Sequence, residues 1–539
     1  MLRCNIFRIV RATFFISVIF CLFSYIFLSI YKQYDHHGVI IKFLRPNHFP
    51  NKIIENQPKR KILETIGEPS TKYFQTIQKM YPNVPIHFLC KKTHRHGNDC
   101  YSNLDKDLPG MRSISSYVMF NITLINQYWQ EYKSRLDNFY LYTAYLDNRK
   151  STEHGSEIRV TALLNRHASF KQLHKHYCVI WSDVSADPEV SNEPLEIVPV
   201  HRHPVLGNLE YYPCLLTCKV PFHQGQKLPL AVSIVDDEAK KSKKYIPSNY
   251  LKVNDPVAKE KNDFAVCVKS YLLEENQTSR LVEWIELLSI LGVKKIFIYE
   301  LFVHPEIKKV LNYYVDKGMV DLTTTNLPGE QPTKQEYLKE YFKNYLNPNR
   351  PDSGIHLNDC LYRNIHRYKF IAILDVDEVI VPRKKGQTWS DLVTSLSRNK
   401  AIVDYRFKNT YFFDDIPVYN SSSNDNIVEI PNVMHMLRHV YRSKRNHIGK
   451  SIIDTARVKI VNSHIALHCL HNSCKHVDVD PSIAQVQHYR KGCSTLAGSE
   501  KQCYQNYRKE TVLDTTLWAF KNELVSRSLK TLSMLGLQS

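Results

Sequence analysis

The chain has 539 residues, enough for two or three domains, and 43% of them are hydrophobic, so it is expected to fold around ordinary cores. Its formal net charge of +19 comes from lysines and arginines spread along the whole sequence. Because no zinc-finger or RNA-binding signature accompanies this charge, the composition argues against nucleic-acid binding and favours acidic ligands or an anionic surface.

A charge-free apolar stretch occupies residues 12–31. As a helix it would span about 30 Å, the thickness of a bilayer core. Arg3, Arg8 and Arg11 precede it, so the positive-inside rule places residues 1–11 in the cytoplasm. A cleaved signal peptide is the alternative, but the run is long and no small-x-small cleavage site follows. We therefore predict a transmembrane signal-anchor and a single-pass type II membrane protein.

Cysteine usage agrees with an oxidising lumen beyond that anchor. Eleven cysteines follow Cys4 and Cys21, and because eleven is odd, at least one is free or pairs between chains. Six of them, for which at least two disulfides are expected, are Cys267, Cys360, Cys469, Cys474, Cys493 and Cys503. The three sequons for N-glycosylation are at Asn121, Asn276 and Asn420.

The next two segments differ in pattern. Residues 32–85 are polar and read as a stem, whereas residues 86–255 contain short aromatic or β-branched runs divided by polar loops. The predicted strands are Asn138–Leu146, Glu157–Leu164, His176–Ser182, Tyr211–Val220 and Leu228–Val235. We interpret this segment as a β-rich, sandwich-like accessory domain. Its aromatic residues serve core packing or, alternatively, a sugar-stacking face.

From residue 260 the pattern alternates between strands and helices. Strands are predicted at Phe264–Lys269, Lys295–Glu300 and Met319–Thr324, and helices at 279–291, with Ser279 as its cap, and Glu306–Lys317. This βαβ order predicts a Rossmann-like α/β domain over residues 260–510, followed by a helical tail at 511–539. Since the glycine motifs of dinucleotide redox sites and P-loops are absent, neither is supported.

The central stretch of this domain is 368–383. An apolar run, Phe370–Leu374, predicts a buried strand, and Asp375, Asp377 and Glu378 follow it directly. Ligands of α/β sheets bind at the carboxyl ends of strands, and the Asp-x-Asp spacing directs both carboxylates to one side of an extended chain. Such a pair suits a hard divalent ion, although an acidic turn is the alternative.

Six motifs together resemble one known family. They lie, in order, at 141–149, 282–300, 358–363, 370–383, 449–454 and 486–490. Over about residues 138–505 the chain resembles glycosyltransferase family 92, the animal galactosyltransferase-like type II membrane proteins. The resemblance implies a GT-A catalytic fold, an Asp-x-Asp motif with Mn²⁺, and inverting transfer of galactose from a UDP-sugar donor to a glycan acceptor. It also implies a Golgi membrane protein with a luminal catalytic domain.

Roles for individual residues follow from that chemistry. Asp375 and Asp377 are the candidate metal ligands; His488 is a third ligand, a phosphate contact or a packed core histidine. The candidate contacts of the uridine diphosphate are Lys269, Asn358, Asp359 and Arg363.

Inversion also needs a general base. Asp414 and Asp415, which end a strand predicted at Ala401–Phe413, are the first candidates for it. Glu378 is the rival.

Two other functions compete with this one. A catalytically silent, membrane-anchored glycan-binding protein could use the same scaffold, but the intact Asp375 and Asp377 favour an enzyme. A metal-dependent phosphohydrolase also has Asp-x-Asp after a strand, but the anchor, the sequons and the six motifs argue against it. The sequence leaves the oligomeric state open.

Overall fold

The computed structural model describes residues 128–537 apart from several internal gaps. The gaps are 135–136, 150–154, 166–173, 183–187, 201–210, 222–227, 243–247, 274, 329–330, 332–336, 339–350, 398–400, 415–434, 445–446, 471–473 and 494–498. The predicted anchor at 12–31, the stem, Asp415, Asn121 and Asn420 lie outside the described residues. Within them, no helix is long and apolar enough to cross a membrane.

The first described region is rich in β-structure, and it contains all five predicted strands. Its strands are β1 (Gln130–Lys133), β2 (Asn138–Asp147), β3 (Glu157–Asn165), β4 (His176–Trp181), β5 (Glu189–Val190), β6 (Glu196–Pro199), β7 (Tyr212–Lys219), β8 (Ala231–Asp236) and β9 (Leu251–Asn254). A short helix, α1 (Asp237–Ser242), follows β8.

These strands form one sheet rather than the two of the expected sandwich. The order is β5-β4-β8-β9-β2-β3-β7-β6, with β1 beside β2. The strands β4 and β7 stand far apart in this order, yet a disulfide joins Cys178 to Cys218, and Ile180 shares a core with Leu216. The sheet therefore folds over on itself and encloses its own core. The pattern of strands in the sequence is the same for one folded sheet and for two separate sheets, so it does not distinguish between them.

The second region is a mixed α/β structure. Its strands are β10 (Asn262–Leu273), β11 (Lys295–Val303), β12 (Val320–Thr324), β13 (Tyr368–Ile373), β14 (Glu378–Pro382), β15 (Asp404–Phe413), β16 (Tyr441–Ser443), β17 (His447–Asp454), β18 (Val458–Val461), β19 (Ala466–Cys469), β20 (His476–Asp478), β21 (Ala484–Arg490) and β22 (Thr511–Leu513). Its α-helices are α2 (Thr278–Ile290), α3 (Pro305–Asp316), α4 (Pro351–Asn364), α5 (Trp389–Leu396), α6 (His435–Arg438), α7 (Glu500–Cys503) and α8 (Lys521–Met534). A π-helical turn at Tyr504–Arg508 and a 3₁₀ helix at Thr516–Phe520 complete it.

The central sheet of this region contains both parallel and antiparallel pairs of strands. The strands β12, β11, β10 and β13 are parallel neighbours, whereas β17 runs antiparallel to β13. Because side chains alternate along a strand, β10 presents Val266 to the core shared with α2 and α3, and Ala265 to the core shared with α4. The strand that leads to Asp375 therefore lies in a mixed sheet, with a parallel neighbour in β10 and an antiparallel neighbour in β17.

Two local details of α2 test the sequence reasoning. The helix begins at Thr278, whose backbone N–H is 3.2 Å from the side-chain oxygen of Asn276. Ser279, the predicted cap, therefore lies inside the helix, because Asn276 already serves the first free N–H group. At the other end, Gly292 has a φ of 101°, which favours glycine, and the helix stops just before it, as predicted.

Helix α4 joins the two regions. It contacts β2, β3 and β7 of the β-rich sheet and β10 and β13 of the α/β sheet. The fully buried Asp359 on this helix accepts hydrogen bonds from Thr143 at 2.6 Å, Tyr145 at 2.8 Å and Tyr299 at 2.6 Å. Because buried polar groups are costly unless paired, these bonds favour one relative placement of the two sheets.

The expected disulfides are confirmed. Three pairs, Cys267–Cys360, Cys469–Cys474 and Cys493–Cys503, join the six cysteines of the α/β region. Cys214 is buried and free, in line with the odd number of cysteines.

Candidate active site

Three acids form a tight turn between β13 and β14. The backbone N–H of Glu378 donates to the carbonyl of Asp375 at 3.0 Å, and the N–H of Asp375 donates to the Glu378 carboxylate at 2.9 Å. Carboxylate oxygens of Asp375, Asp377 and Glu378 come within 4.8 Å of one another. We call these three residues the acid cluster.

Lys269 reaches this cluster from the neighbouring strand. Because β10 and β13 are parallel and Cys267 pairs with Ile373, the residues two positions further on, Lys269 and Asp375, lie side by side. The Lys269 ammonium is 3.1 Å from Asp375 Oδ2, and 38% of the lysine side chain is exposed. The sequence predicted Lys269 as the last residue of a strand; in the structure β10 continues to Leu273, and Lys269 lies within it, beside the acids.

Lys450 approaches from the other neighbour of β13, the antiparallel strand β17. Its ammonium is 3.1 Å from Asp375 Oδ2 and 3.0 Å from Glu378 Oε2, with only 2% of its side chain exposed. The preceding Gly449 permits this approach, since a Cβ there would lie 2.6 Å from the carbonyl oxygen of Phe407 on β15. The Gly-Lys pair therefore combines a close strand contact with a buried cation.

His488 closes the cluster from β21, which pairs with β14 so that His488 stands opposite Glu378. Its Nε2 is 3.3 Å from Asp377 Oδ2, and its Nδ1 is 3.2 Å from Glu378 Oε1. The next residue, Tyr489, donates its backbone N–H to the carbonyl of Asp377 at 2.9 Å. A residue 111 positions after Asp377 is thus placed against it by the register of two strands.

The charges of the cluster stabilise one another. Burial alone would raise the pKa of Asp375, but the ammonium groups of Lys450 and Lys269 outweigh it and hold that pKa well below its usual range. Burial likewise opposes the hydrogen bond from His488 that lowers the pKa of Asp377. In return, the carboxylates of Glu378 and Asp377 overcome burial and raise the pKa of His488. Asp375 and Asp377 are therefore ionised at neutral pH.

The other three predicted donor contacts lie elsewhere, on α4. Asn358 is buried and bonds to the backbone of Val461, with its amide nitrogen 2.9 Å from the carbonyl oxygen. Arg363 donates to Asp359 at 3.0 Å and to Thr323 at 2.9 Å. These contacts do not involve the acid cluster, so binding of the diphosphate by the three residues stays a prediction.

Asp414 belongs to a second cluster, with Arg280, His435 and His439. Both its carboxylate oxygens lie 3.1–3.2 Å from Arg280, and its Oδ1 lies 3.4 Å from His435 and 3.6 Å from His439. Arg280 also contacts the imidazole of His435. Burial and the charge of Arg280 lower the pKa of His435 to about 2; for His439, burial and Arg438 lower it to about 4. Both imidazoles are therefore neutral at physiological pH.

The second cluster is held by α2. Glu283 on that helix is fully buried and accepts from the backbone N–H of Met436 at 2.9 Å, which holds α6 and its histidine, His435, in place. Burial raises the pKa of Glu283 to about 8. The neighbouring Trp284 donates its indole N–H to the carbonyl of Glu378 at 2.7 Å. Helix α2 thus supports both clusters through adjacent residues.

Sequence reasoning did not single out Lys450, Arg280, His435 or His439. A lysine behind a glycine at the start of an apolar strand, as in 449–453, is the signal that singles out Lys450. The spacing of His435 and His439 by four residues is the corresponding signal for the pair.

Comparison with known proteins addresses the family. Residues 262–527 match the family model described as glycosyltransferase family 92. This part of the chain belongs to glycosyltransferase family 92. The family 92 region begins at the first residue of β10, ends within α8, and contains both clusters. The suspected resemblance is thereby confirmed.

A distant relative points the same way. The chain is similar to the Caenorhabditis elegans protein named beta-1,4-galactosyltransferase galt-1, with 21% identity over 362 residues. That alignment covers 66% of this chain and 74% of the relative. Family and relative together support glycosyl transfer as the activity of the chain.

Proposed function

We propose that the chain is an inverting, metal-dependent glycosyltransferase that transfers galactose from UDP-galactose to a glycan acceptor on glycoproteins. The convergence of three carboxylates, two ammonium groups and one imidazole at the end of β13 carries this proposal. The name of the nematode relative is the reason to choose galactose. A GT-A fold for the family 92 region is part of the proposal, and the parallel order β12-β11-β10-β13 supports it.

The acid cluster has the donors that a divalent ion requires. Oxygen ligands suit hard cations such as Mn²⁺, and imidazole is a common ligand of divalent transition metals. With carboxylate oxygens within 4.8 Å of one another and His488 Nε2 3.3 Å from Asp377, the residues fit such an ion. Asp375, Asp377 and His488 are the proposed ligands. A bound ion would supply positive charge to the diphosphate leaving group.

The chain's own cations act on the same leaving group. Lys269 has 38% of its side chain exposed beside Asp375, so we propose that its ammonium binds the diphosphate of the donor. Charges that are fixed before the reaction stabilise developing charge without having to reorganise, and each such contact is commonly worth about 10²–10³ in rate. Lys450, which is buried, holds Asp375 and Glu378 in place.

The general base must be a carboxylate that an acceptor hydroxyl can reach. Arg280 binds both oxygens of Asp414 and would compete with the acceptor for them. Glu378 has 2% of its side chain exposed and faces Lys450 and His488. Asp415, outside the described residues, therefore remains our first candidate, with Asp414 and Glu378 as the alternatives.

We place this activity in the Golgi lumen, with the chain anchored in the membrane by residues 12–31. Four disulfides among the described residues support an oxidising compartment. The exposed Asn276 within a sequon agrees with a luminal location. The proposed partners are the nucleotide-sugar donor, the glycan acceptor and the membrane.

A donor panel tests the proposal. Purified protein is incubated with each of several UDP-sugars, a mixture of glycoprotein glycans and Mn²⁺, and released UDP is measured. We expect release with UDP-galactose, its loss in EDTA and its recovery with Mn²⁺. A catalytically silent glycan-binding protein would release no UDP from any donor, and release that is unchanged in EDTA would refute the metal dependence.

A further inference from the structure

Lys450 places a fixed positive charge against two of the three acids. Its ammonium is 3.1 Å from Asp375 and 3.0 Å from Glu378, and its side chain is 2% exposed. The lysine belongs to a strand whose register with β13 is set by Ile452 opposite Ala372. Because both the strand and the burial fix it, this cation cannot move away as a surface lysine can.

The cluster therefore carries little net charge before any ligand arrives. Three carboxylates face the ammonium groups of Lys269 and Lys450, and His488 lies against Asp377 and Glu378. Asp375 Oδ2 is within 3.1 Å of both ammonium groups. A divalent ion approaching these acids would be repelled by two nearby cations, and electrostatic interactions at such distances are strong in a partly buried site. The acids alone are thus poorly suited to hold the ion.

The diphosphate of a nucleotide changes that balance. Its negative charges would be attracted by the exposed ammonium of Lys269 and would supply the oxygen ligands that the acids lack. Ions such as Mg²⁺ are commonly held in this way, by one or two carboxylates together with substrate phosphates. The ion and the diphosphate then neutralise each other within the site.

We propose that Lys450 is a positioning residue that makes binding of the divalent ion depend on the nucleotide diphosphate. Its contacts with Asp375 and Glu378 hold these two acids in place, while its charge lowers the affinity of the acid cluster for the ion alone. The ion and the diphosphate therefore bind together. This inference rests on the proposed function, since it takes a nucleoside diphosphate and a divalent ion as the ligands. It assigns to Lys450 a role that differs from structural support, because a structural residue would not weaken metal binding.

Mn²⁺ binding to the purified full-length protein in detergent tests the proposal without reference to turnover. Free Mn²⁺ is measured by electron paramagnetic resonance with and without UDP, and protein-free samples correct for the binding of Mn²⁺ to UDP. For the wild type we expect affinity at least about tenfold higher with UDP, the scale of one unit charge close to an ion. Equal affinity with and without UDP would overturn the proposal, whatever the variants do.

Two variants at the site and one control sharpen the test. Lys450→Met keeps the length of the side chain, and we expect Mn²⁺ affinity without UDP to rise about tenfold because one repelling charge is lost. Lys450→Arg retains the charge and should preserve the dependence on UDP. Lys219→Met, in an exposed ion pair with Glu193 at 2.7 Å, should behave as wild type. Thermal melting of each variant establishes folding.

The outcomes separate this inference from the proposed function. A folded Lys450→Met protein that binds Mn²⁺ no more tightly than wild type in the absence of UDP would overturn the role of Lys450 and leave the metal-dependent transferase intact. Failure of the wild type to bind Mn²⁺ even with UDP would contradict the metal itself, and with it both proposals.

Discussion

Two groups of charged side chains contain similar chemistry in different surroundings. In the β-rich region, the fully buried Asp147 accepts two hydrogen bonds from Arg149 at 2.7 and 2.8 Å and one from Arg159 at 3.2 Å. In the acid cluster, Asp375 and Asp377 keep 23% and 33% of their side chains exposed. Both groups pair acids with bases, but only the second presents carboxylates to solvent.

We call Asp147, Arg149 and Arg159 the closed group, and the partners of Arg149 show what it does. Its guanidinium also donates to the carbonyls of Thr455, just after β17, and Val458, the first residue of β18, both at 2.7 Å. The motif at 141–149 is one of those that carry the family resemblance. Its last residue, Arg149, therefore connects the two regions by hydrogen bonds. Charge pairing alone is therefore not a sign of function. The exposed fraction of the acid side chains is what distinguishes the acid cluster from the closed group.

The largest expected effect comes from breaking the closed group. Arg149→Met removes a buried guanidinium and leaves Asp147 and two carbonyls short of donors, so we expect the free energy of unfolding to fall by about 3–5 kcal/mol. Urea unfolding measures this loss, and UDP release per folded molecule should stay near that of wild type. A decrease in the free energy of unfolding of less than about 1 kcal/mol would show that the contacts of Arg149 do not stabilise the fold.

An intermediate effect is expected from pH. Because the pKa of His488 is raised by Glu378 and Asp377, folding favours its protonated form. That stabilisation is fully present below the unfolded-state pKa of about 6.5 and is lost as the pH rises through the folded-state value. In EDTA, the difference in melting temperature between wild type and His488→Gln should therefore be larger at pH 6 than at pH 9.

The closed group supplies the matched comparison for that measurement. Despite burial, Arg149 and Arg159 lower the pKa of Asp147, so its stabilisation is present above the unfolded-state value of about 3.9 and is lost only as the pH falls. The effect of Arg149→Met should thus be the same at pH 6 and pH 9. A similar pH dependence for the two variants would argue against the assigned charge state of His488.

The smallest effect is expected at the surface. Lys219 and Glu193 form an ion pair at 2.7 Å with 45% and 67% of their side chains exposed. Such pairs contribute at most about 1 kcal/mol, because water and salt screen them. Lys219→Ala should therefore change the free energy of unfolding by less than that amount. A decrease in the free energy of unfolding as large as that of Arg149→Met would mean that exposure does not determine how much an ion pair of this protein contributes to stability.

Local patterns predicted much of this arrangement. The apolar run before Asp375 indicated a buried strand and the acids at its end, and alternating strands and helices indicated the α/β region. Lys269, at the end of a predicted strand, and His488, late in the domain, were also among the candidates that the sequence offered. The spacing of apolar residues and the local composition carry such information because they indicate which side chains of a single element are buried.

Contacts between distant elements were not predictable in the same way. Asp359 and Arg363 are four residues apart on one helical face. Their spacing does not indicate that Asp359 accepts hydrogen bonds from Thr143 and Tyr145. Arg280 meets Asp414 across 134 residues of sequence. Lys450 is a single charge in a strand, and only the register of β17 against β13 reveals its partners.

Asp377→Asn tests the central claim most directly, because the substitution keeps the shape of the side chain and removes the charge of a proposed metal ligand. We expect UDP release with Mn²⁺, donor and acceptor to fall about 10²–10³-fold, with a melting temperature close to that of wild type. Asp263→Asn, which alters an acid paired with Lys369 at the opposite end of β10, should retain activity. A well-folded Asp377→Asn protein with near wild-type release would contradict the assignment of the acid cluster as the catalytic metal site.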